Sequence, residues 1–147
     1  MRLALAQARA AAKADEVPVG ALVVQDGKVI AAGRNRIREL KDPTAHAELL
    51  ALRAAAKRLQ HERIGGTILY TTLEPCPMCA GAAVLAQVDA VVYGAPDLRA
   101  GAGGTLLNVL QHPDLNHRCQ VTGGILPDQS AGLLRRFFKK KRRQGKG

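Results

Sequence analysis

Apolar and polar positions switch between a helical and a strand-like period along the chain. Residues 3–14 carry Leu3, Ala4, Leu5 and further alanines, broken by Gln7 and Arg9 and followed by Lys13, Asp15 and Glu16. That pattern predicts an amphipathic helix; the uninterrupted run falls short of the ~7–15 apolar residues of a signal peptide core. Residues 17–24 predict an apolar strand. Asp26-Gly27 predicts a hairpin turn that returns the chain as a second strand over 28–33. Residues 35–42 read as a polar, basic loop. Thr44 is the expected N-cap of a second helix, in which Ala47, Leu50, Ala51, Ala54 and Ala55 recur at helical spacing as far as about Arg58.

Gly65-Gly66 closes that unit. A β-branched strand over 67–72, a helix over 77–87 and a strand over 90–94 follow. A Gly-rich loop over 95–104 leads to a short helix over 105–110, a loop over 112–117 and a short strand over 120–122. Asp128 is the expected cap of a last helix, with Leu133, Leu134, Phe137 and Phe138 as its docking stripe. A hairpin followed by strand–helix alternation predicts an α/β fold of three α/β/α layers, a central mixed sheet of about five strands between helices. With no linker or repeat, residues 1–147 read as one domain.

Charge adds a partner to this picture. The net charge is +10, and residues 135–147 hold Arg135, Arg136, Lys139, Lys140, Lys141, Arg142, Arg143 and Lys146 with no acid. The rest of the chain balances 14 positive against 12 acidic residues. The basic character is a C-terminal feature. It points to a polyanion such as nucleic acid, the plain alternative being a solubilising tail. No run reaches the ~18 apolar residues of a membrane span, so no membrane partner is expected.

The candidate chemistry centres on Pro75-Cys76-Pro77-Met78-Cys79. Two thiols three residues apart share a helix face, and Pro77 suits the first turn of a helix. Both sulfurs then sit over a helix N-terminus, which favours thiolates. Three cysteines are an odd count, which fits a reducing, cytoplasmic setting better than a disulfide framework. His46, in the first turn of the second helix, offers a third ligand. One His and two Cys leave one of zinc's four positions for water, the catalytic arrangement. Glu48, two residues from His46, is the candidate proton carrier.

Each half alone is weak. His-x-Glu can be a surface pair, and Cys-x-x-Cys a redox pair or half of a structural zinc site. Glu74 reads as an ordinary strand-end carboxylate, Cys119 as a bystander, and His112 and His117 as loop hydrogen-bonding residues. Tyr70 and Tyr93 read as core. The ordered combination His46-x-Glu48 … Pro75-Cys76-x-x-Cys79 is far more specific and is the signature of zinc nucleobase deaminases.

The chain resembles the bacterial tRNA-specific adenosine deaminases of the zinc cytidine/deoxycytidylate deaminase superfamily nearly end to end. The likeness rests on Glu16-Val17-Pro18-Val19-Gly20-Ala21, Gly33-Arg34-Asn35-Arg36, Asp42-Pro43-Thr44-Ala45-His46-Ala47-Glu48, Thr72-Leu73-Glu74-Pro75-Cys76, Met78-Cys79-Ala80-Gly81-Ala82, Gly101-Ala102-Gly103-Gly104, Asn116-His117 and Phe137-Phe138. The resemblance implies a cytidine-deaminase-like fold and one Zn2+ per subunit on His46, Cys76 and Cys79. It implies that Glu48 moves protons during hydrolysis of adenosine to inosine at the wobble position of an arginine tRNA with an ACG anticodon. It further implies a homodimer on a tRNA anticodon stem-loop, with Asn35, Ala47, Asp97, Phe137, Phe138 and Arg142 as RNA contacts. Two other functions stay open on the residues alone. One is a free guanine or cytosine deaminase; the other is a non-catalytic RNA-binding module whose zinc is closed by Cys76, Cys79, Cys119 and His117.

Overall fold

The computed structural model describes residues 1–145; Lys146 and Gly147, the end of the expected basic tail, lie outside the described residues. The elements are α1 (Arg2–Lys13), β1 (Gly20–Gln25), β2 (Lys28–Arg34), α2 (Ile37–Leu40), α3 (Ala47–Leu59), β3 (Thr67–Leu73), α4 (Pro77–Ala86), β4 (Ala90–Ala95), β5 (Gln120–Thr122) and α5 (Pro127–Gly145). The five strands form one mixed sheet in the order β2-β1-β3-β4-β5. β1 runs antiparallel to β2 and β3, while β3, β4 and β5 are parallel. α3 and α4 pack together on one face, and α1 and α5 on the other. This is the three-layer arrangement the alternation predicts.

The layers approach closely where side chains are smallest. A Cβ on Gly20 would lie 2.1 Å from the Ala4 carbonyl oxygen of α1, and one on Gly33 would lie 2.4 Å from the Ala47 carbonyl oxygen of α3. Alanines line the helix faces opposite: Ala4, Ala8 and Ala11 on α1, and Ala47, Ala51 and Ala55 on α3, all fully buried. Close backbone approach thus seats α1 and the start of α3 directly on the sheet.

Several predicted boundaries move, each for a local reason. The first strand begins at Gly20 rather than residue 17, because Pro18 offers no donor and the Val19 N–H folds back onto the Val17 carbonyl at 2.8 Å. The 35–42 loop contains the helical turn α2. The buried carboxylate of Glu16 accepts its Arg38 and Glu39 N–H groups at 3.0 and 2.8 Å, doing for that turn what a local cap would do. The expected helix over 105–110 is absent: those residues form turns and an isolated bridge between Gly103 and Asn108. The last helix begins at Pro127, with Asp128 inside its first turn, and stays helical through Lys139–Gly145. On α3 the buried face is Ala47, Glu48, Ala51, Leu52 and Ala55, so Ala54 is exposed and Leu50 half-exposed. Tyr70 and Tyr93 are half-buried rather than core. No helix among the described residues is long and apolar enough to cross a membrane.

Candidate metal centre and active site

Two helix starts carry the site. His46 is the N-cap of α3, one position earlier than the first-turn placement expected from sequence, and Cys76 is the N-cap of α4. Both have extended backbones (φ −73°, ψ 151° and φ −72°, ψ 172°), which throw their side chains over the helix ends. Thr44, the expected cap of α3, is occupied elsewhere: its N–H and hydroxyl both bond the Asp42 carboxylate, at 2.8 and 2.7 Å. The cap function comes from Asn35, whose Oδ1 accepts the Ala47 N–H at 2.8 Å. Pro77 holds the first position of α4, and Cys79 lies one turn in.

His46, Cys76 and Cys79 converge, with their ligand atoms within 4.8 Å of one another. The His46 Nδ1 stands 3.5 Å from the Sγ of Cys76 and 3.5 Å from the Sγ of Cys79. A tetrahedral zinc with bonds of ~2.3 Å to sulfur and ~2.0 Å to nitrogen separates such N and S atoms by about 3.5 Å. Both N–S separations therefore match those of a tetrahedral zinc site. Cys119 is buried in the main core and Gln111 Nε2 bonds its carbonyl; it is outside this cluster. The His117 Nε2 lies 2.7 Å from the Val88 carbonyl, and the His112 Nδ1 accepts the Asp114 N–H. Neither histidine joins the thiols, so the closed site of Cys76, Cys79, Cys119 and His117 does not form.

The electrostatics favour charge on the ligand pair. The Cys79 thiol donates toward Cys76, and with the His46 imidazole this pulls the Cys76 thiol down to about 4. Cys79 is driven up by sharing that proton, by burial and by the nearby carboxylate of Glu48. His46 is raised by its bond to Cys76 and by Glu48. The pair thus favours negative charge on Cys76, the form in which a thiol binds a metal cation.

Glu48 is 3% exposed. Its Oε2 is 3.6 Å from the Cys79 Sγ, and its Oε1 is 3.1 Å from the Thr71 hydroxyl of β3. Burial pushes its carboxyl above the usual range, with the Thr71 bond opposing. A buried carboxyl with a raised pKa, beside a candidate metal-ligand set, has the chemistry of a general acid and base. Residues two apart diverge along a helix flank, but His46 and Glu48 span the cap and first turn, so both reach the space above α3.

A groove of about 690 Å³ runs between α5 and the loop after β4, its walls including Leu73, Asp97, Leu98, Phe138, Lys139 and Arg142. Asp97 Oδ1 accepts the Arg99 and Ala100 N–H groups and shapes the turn. Phe137 is half-buried and Phe138 is 43% exposed, their rings edge to face at 5.4 Å between centroids. Lys141 pairs with Asp15 and lies 5.7 Å from the Phe137 ring, tying α5 to the end of α1. Asn35 and Ala47 sit at the start of α3, Ala47 fully buried.

Glu74, read from sequence as an ordinary strand-end carboxylate, is a buried anchor instead. It is 1% exposed, and its carboxylate accepts the Asp97, Gly103 and Thr105 N–H groups at 3.1, 2.9 and 3.1 Å, together with the Thr105 hydroxyl. The available signal was a carboxylate at the end of a β-branched strand, followed later by glycines whose side chains would collide with it: a Cβ on Gly101 would lie 2.6 Å from Glu74 Oε1.

Comparison with known proteins places this geometry. The model of the MafB19-like deaminase family matches residues 1–142. A tRNA-specific adenosine deaminase of Agrobacterium fabrum is 46% identical over 142 residues, covering 97% of this chain and 93% of that protein. A solved tRNA:A34 deaminase, studied for A-to-I editing at the wobble position of transfer RNA, superposes with a TM-score of 0.88 at 46% identity, covering 91% of this chain and 97% of that one. A guanine deaminase from Nitrosomonas europaea superposes with a TM-score of 0.80 at 31% identity, covering 92% and 81%. Fold, converging ligand set and near-complete sequence match agree, and the chain belongs to the MafB19-like deaminase family together with the tRNA-specific adenosine deaminases.

Proposed function

We propose that this protein converts adenosine to inosine by zinc-dependent hydrolysis at the wobble position of a tRNA, the arginine tRNA with an ACG anticodon being the expected substrate. The observation that carries the reading is the convergence of His46, Cys76 and Cys79 beside the buried carboxylate of Glu48. Relatives named for tRNA-specific adenosine deamination match it over nearly their whole length.

His46, Cys76 and Cys79 would hold the ion, one per subunit. When bound, zinc supplies Lewis-acid activation of water at neutral pH. Glu48 takes a proton from the attacking water, passes it to a ring nitrogen of adenine, and carries the next to the departing amino group. Adenosine and water become inosine and ammonia, with Glu48 returned to its starting state. Thr71 steadies one carboxylate oxygen, leaving the other, on the side of the cysteines, for the transfers. Asn35, whose side-chain oxygen is committed to the Ala47 N–H, keeps its NH2 for the substrate, with Ala47 beside it at the start of α3.

The anticodon loop is single-stranded, and such RNA is recognised through splayed bases and phosphates. The groove along α5 offers both kinds of contact: Phe138, backed by Phe137, as a stacking platform, and Asp97 and Arg142 at the walls. A homodimer on the stem-loop, in the cytoplasm, completes the reading. Incubation with an ACG-anticodon tRNA followed by sequencing tests it: inosine at the wobble position is expected, and unchanged adenosine rejects it. The guanine deaminase likeness gives the competing outcome, in which free guanine turns over and removal of residues 139–147 leaves that rate unchanged.

Arg142 is exposed on α5, so its loss is expected to be felt at the RNA and not in the fold. Arg142→Ala is expected to weaken stem-loop binding and to lower the slope of log affinity against log salt by ~0.7, the worth of one phosphate contact on a single strand. Binding isotherms at several salt concentrations give the slope directly.

A further inference from the structure

The loop that walls the proposed RNA groove gathers around one buried carboxylate. Glu74 directly follows β3, two residues before Cys76, and receives four donors from the loop that follows β4. Two further backbone bonds tie the same segments: the Glu74 N–H to the Ala95 carbonyl and the Ala102 N–H to the Pro75 carbonyl, both at 2.8 Å. The loop from Asp97 to Thr105 thus wraps a carboxylate at its centre. Gly101 and Gly103 pass it so closely that a Cβ would stand 2.6 and 3.4 Å from Glu74 atoms.

Within the loop, Asp97 Oδ1 accepts the Arg99 and Ala100 N–H groups and Ala102 is buried in the core, but the side-chain acceptor that joins its two ends is Glu74. The loop contains no helix or strand of its own, and Leu98 is 77% exposed. Its outer part, residues 96–99, forms the groove wall opposite Phe138 and Arg142. The inner part is bonded to Glu74 and Pro75, in the segment that delivers Cys76. A charged acceptor bonded to four donors holds a loop more firmly than neutral pairs do, and leaving those donors unpaired in a buried site carries the full desolvation cost.

We propose that Glu74 is a positioning residue for RNA recognition, fixing the groove wall at residues 96–99 relative to the metal-binding segment. It touches neither the ion's ligand atoms nor the reacting base. Its influence passes through the 97–105 loop, and its loss is felt in substrate affinity more than in the chemical step. The proposal rests on the tRNA reading of the groove, so its test includes a measurement that does not depend on that reading.

Two variants test it. Glu74→Gln puts an NH2 donor against the N–H groups; Thr105→Val keeps the carboxylate and its backbone bonds and removes only the hydroxyl. With an ACG anticodon stem-loop as substrate, Glu74→Gln is expected to raise KM at least tenfold and Thr105→Val about threefold. Both keep kcat within about threefold of wild type and zinc at one per chain. Hydrogen exchange by mass spectrometry, without RNA, is expected to speed up over 97–105 and to stay unchanged in α1 and α3. A fall in kcat at unchanged KM, or unchanged exchange over 97–105 in Thr105→Val, overturns the proposal, and Thr105→Val decides it if Glu74→Gln does not fold. If wild type leaves the tRNA unmodified while the loop still loosens in Thr105→Val, the tRNA reading fails and with it the recognition role, whereas Glu74 remains the anchor of the loop.

Discussion

Glu48→Gln is expected to remove turnover while leaving the metal in place. Proton transfer by a positioned side chain contributes ~10²–10⁴-fold, and Glu48 is assigned successive transfers in one cycle, so the loss belongs at the upper end, about 10⁴-fold in kcat. The amide keeps the shape of the carboxylate. Its oxygen still accepts from Thr71, and its NH2 turns a donor toward the Cys79 sulfur, where the carboxylate had set a negative charge. Metal content is therefore expected to stay at one zinc per chain. Stability moves the other way. Burial raises the Glu48 carboxyl above its ordinary 4.5, so in metal-free protein the folded state binds this proton more tightly than the unfolded state. Stability from that group is full below about pH 4.5 and declines as pH rises through the folded value. A neutral amide has no such decline. Metal-free Glu48→Gln is thus expected to melt higher than metal-free wild type at pH 7–8, with the difference vanishing at acidic pH. Thermal melts at several pH values, beside single-turnover assays, check both halves; activity within tenfold of wild type would remove Glu48 from its role.

The parts of this site that are local in sequence were legible there. The two thiols of one helix start, the proline between them and the His-x-Glu pair are each set within a few residues, and only the meeting of the two helix ends is long-range. The single-position error at His46 arose because Thr44 looks like a cap while its side chain is taken by Asp42, and the cap arrives from Asn35, twelve residues upstream of Ala47. The same physics explains the larger misses. α2 is written in Glu16, more than twenty residues earlier. The expected helix over 105–110 gave way because the Val109 N–H, which a helix would give to the Thr105 carbonyl, bonds the Ala102 carbonyl, while Glu74 holds the Thr105 N–H. A buried carboxylate that organises a distant loop leaves no periodicity in the sequence. The rotation of the buried face of α3 toward Glu48 and Leu52 has a related origin. Pattern counting assigns a glutamate to the outside, whereas this one faces the strands and meets Thr71 of β3.

His46→Ala is expected to abolish both zinc retention and activity while sparing the fold. In the proposed site the imidazole is one of three ligands, and its removal leaves two sulfurs, too few to hold an ion against a chelator. Nothing in the architecture of α3 depends on the ring: His46 makes no side-chain cap bond, and the helix end is held by Asn35 and the His46 backbone. The circular dichroism spectrum is therefore expected to match that of metal-free wild type. The melting temperature separates the cases further. An ion that binds only the folded state stabilises it by mass action, so added zinc is expected to raise the melting temperature of wild type and of Cys119→Ser, whose thiol lies outside the cluster, and to leave that of His46→Ala unmoved. Zinc content after dialysis is expected near one per chain in the first two and below about a tenth in the third, with turnover down at least about 10³-fold. Glu48→Gln and His46→Ala then fail in distinct ways, the first with metal and without proton transfer, the second with the carboxylate in place and no ion to work beside. Full zinc occupancy in His46→Ala would show that the sulfurs find their partners elsewhere in the chain, and the open position on which the hydrolytic reading depends would be gone.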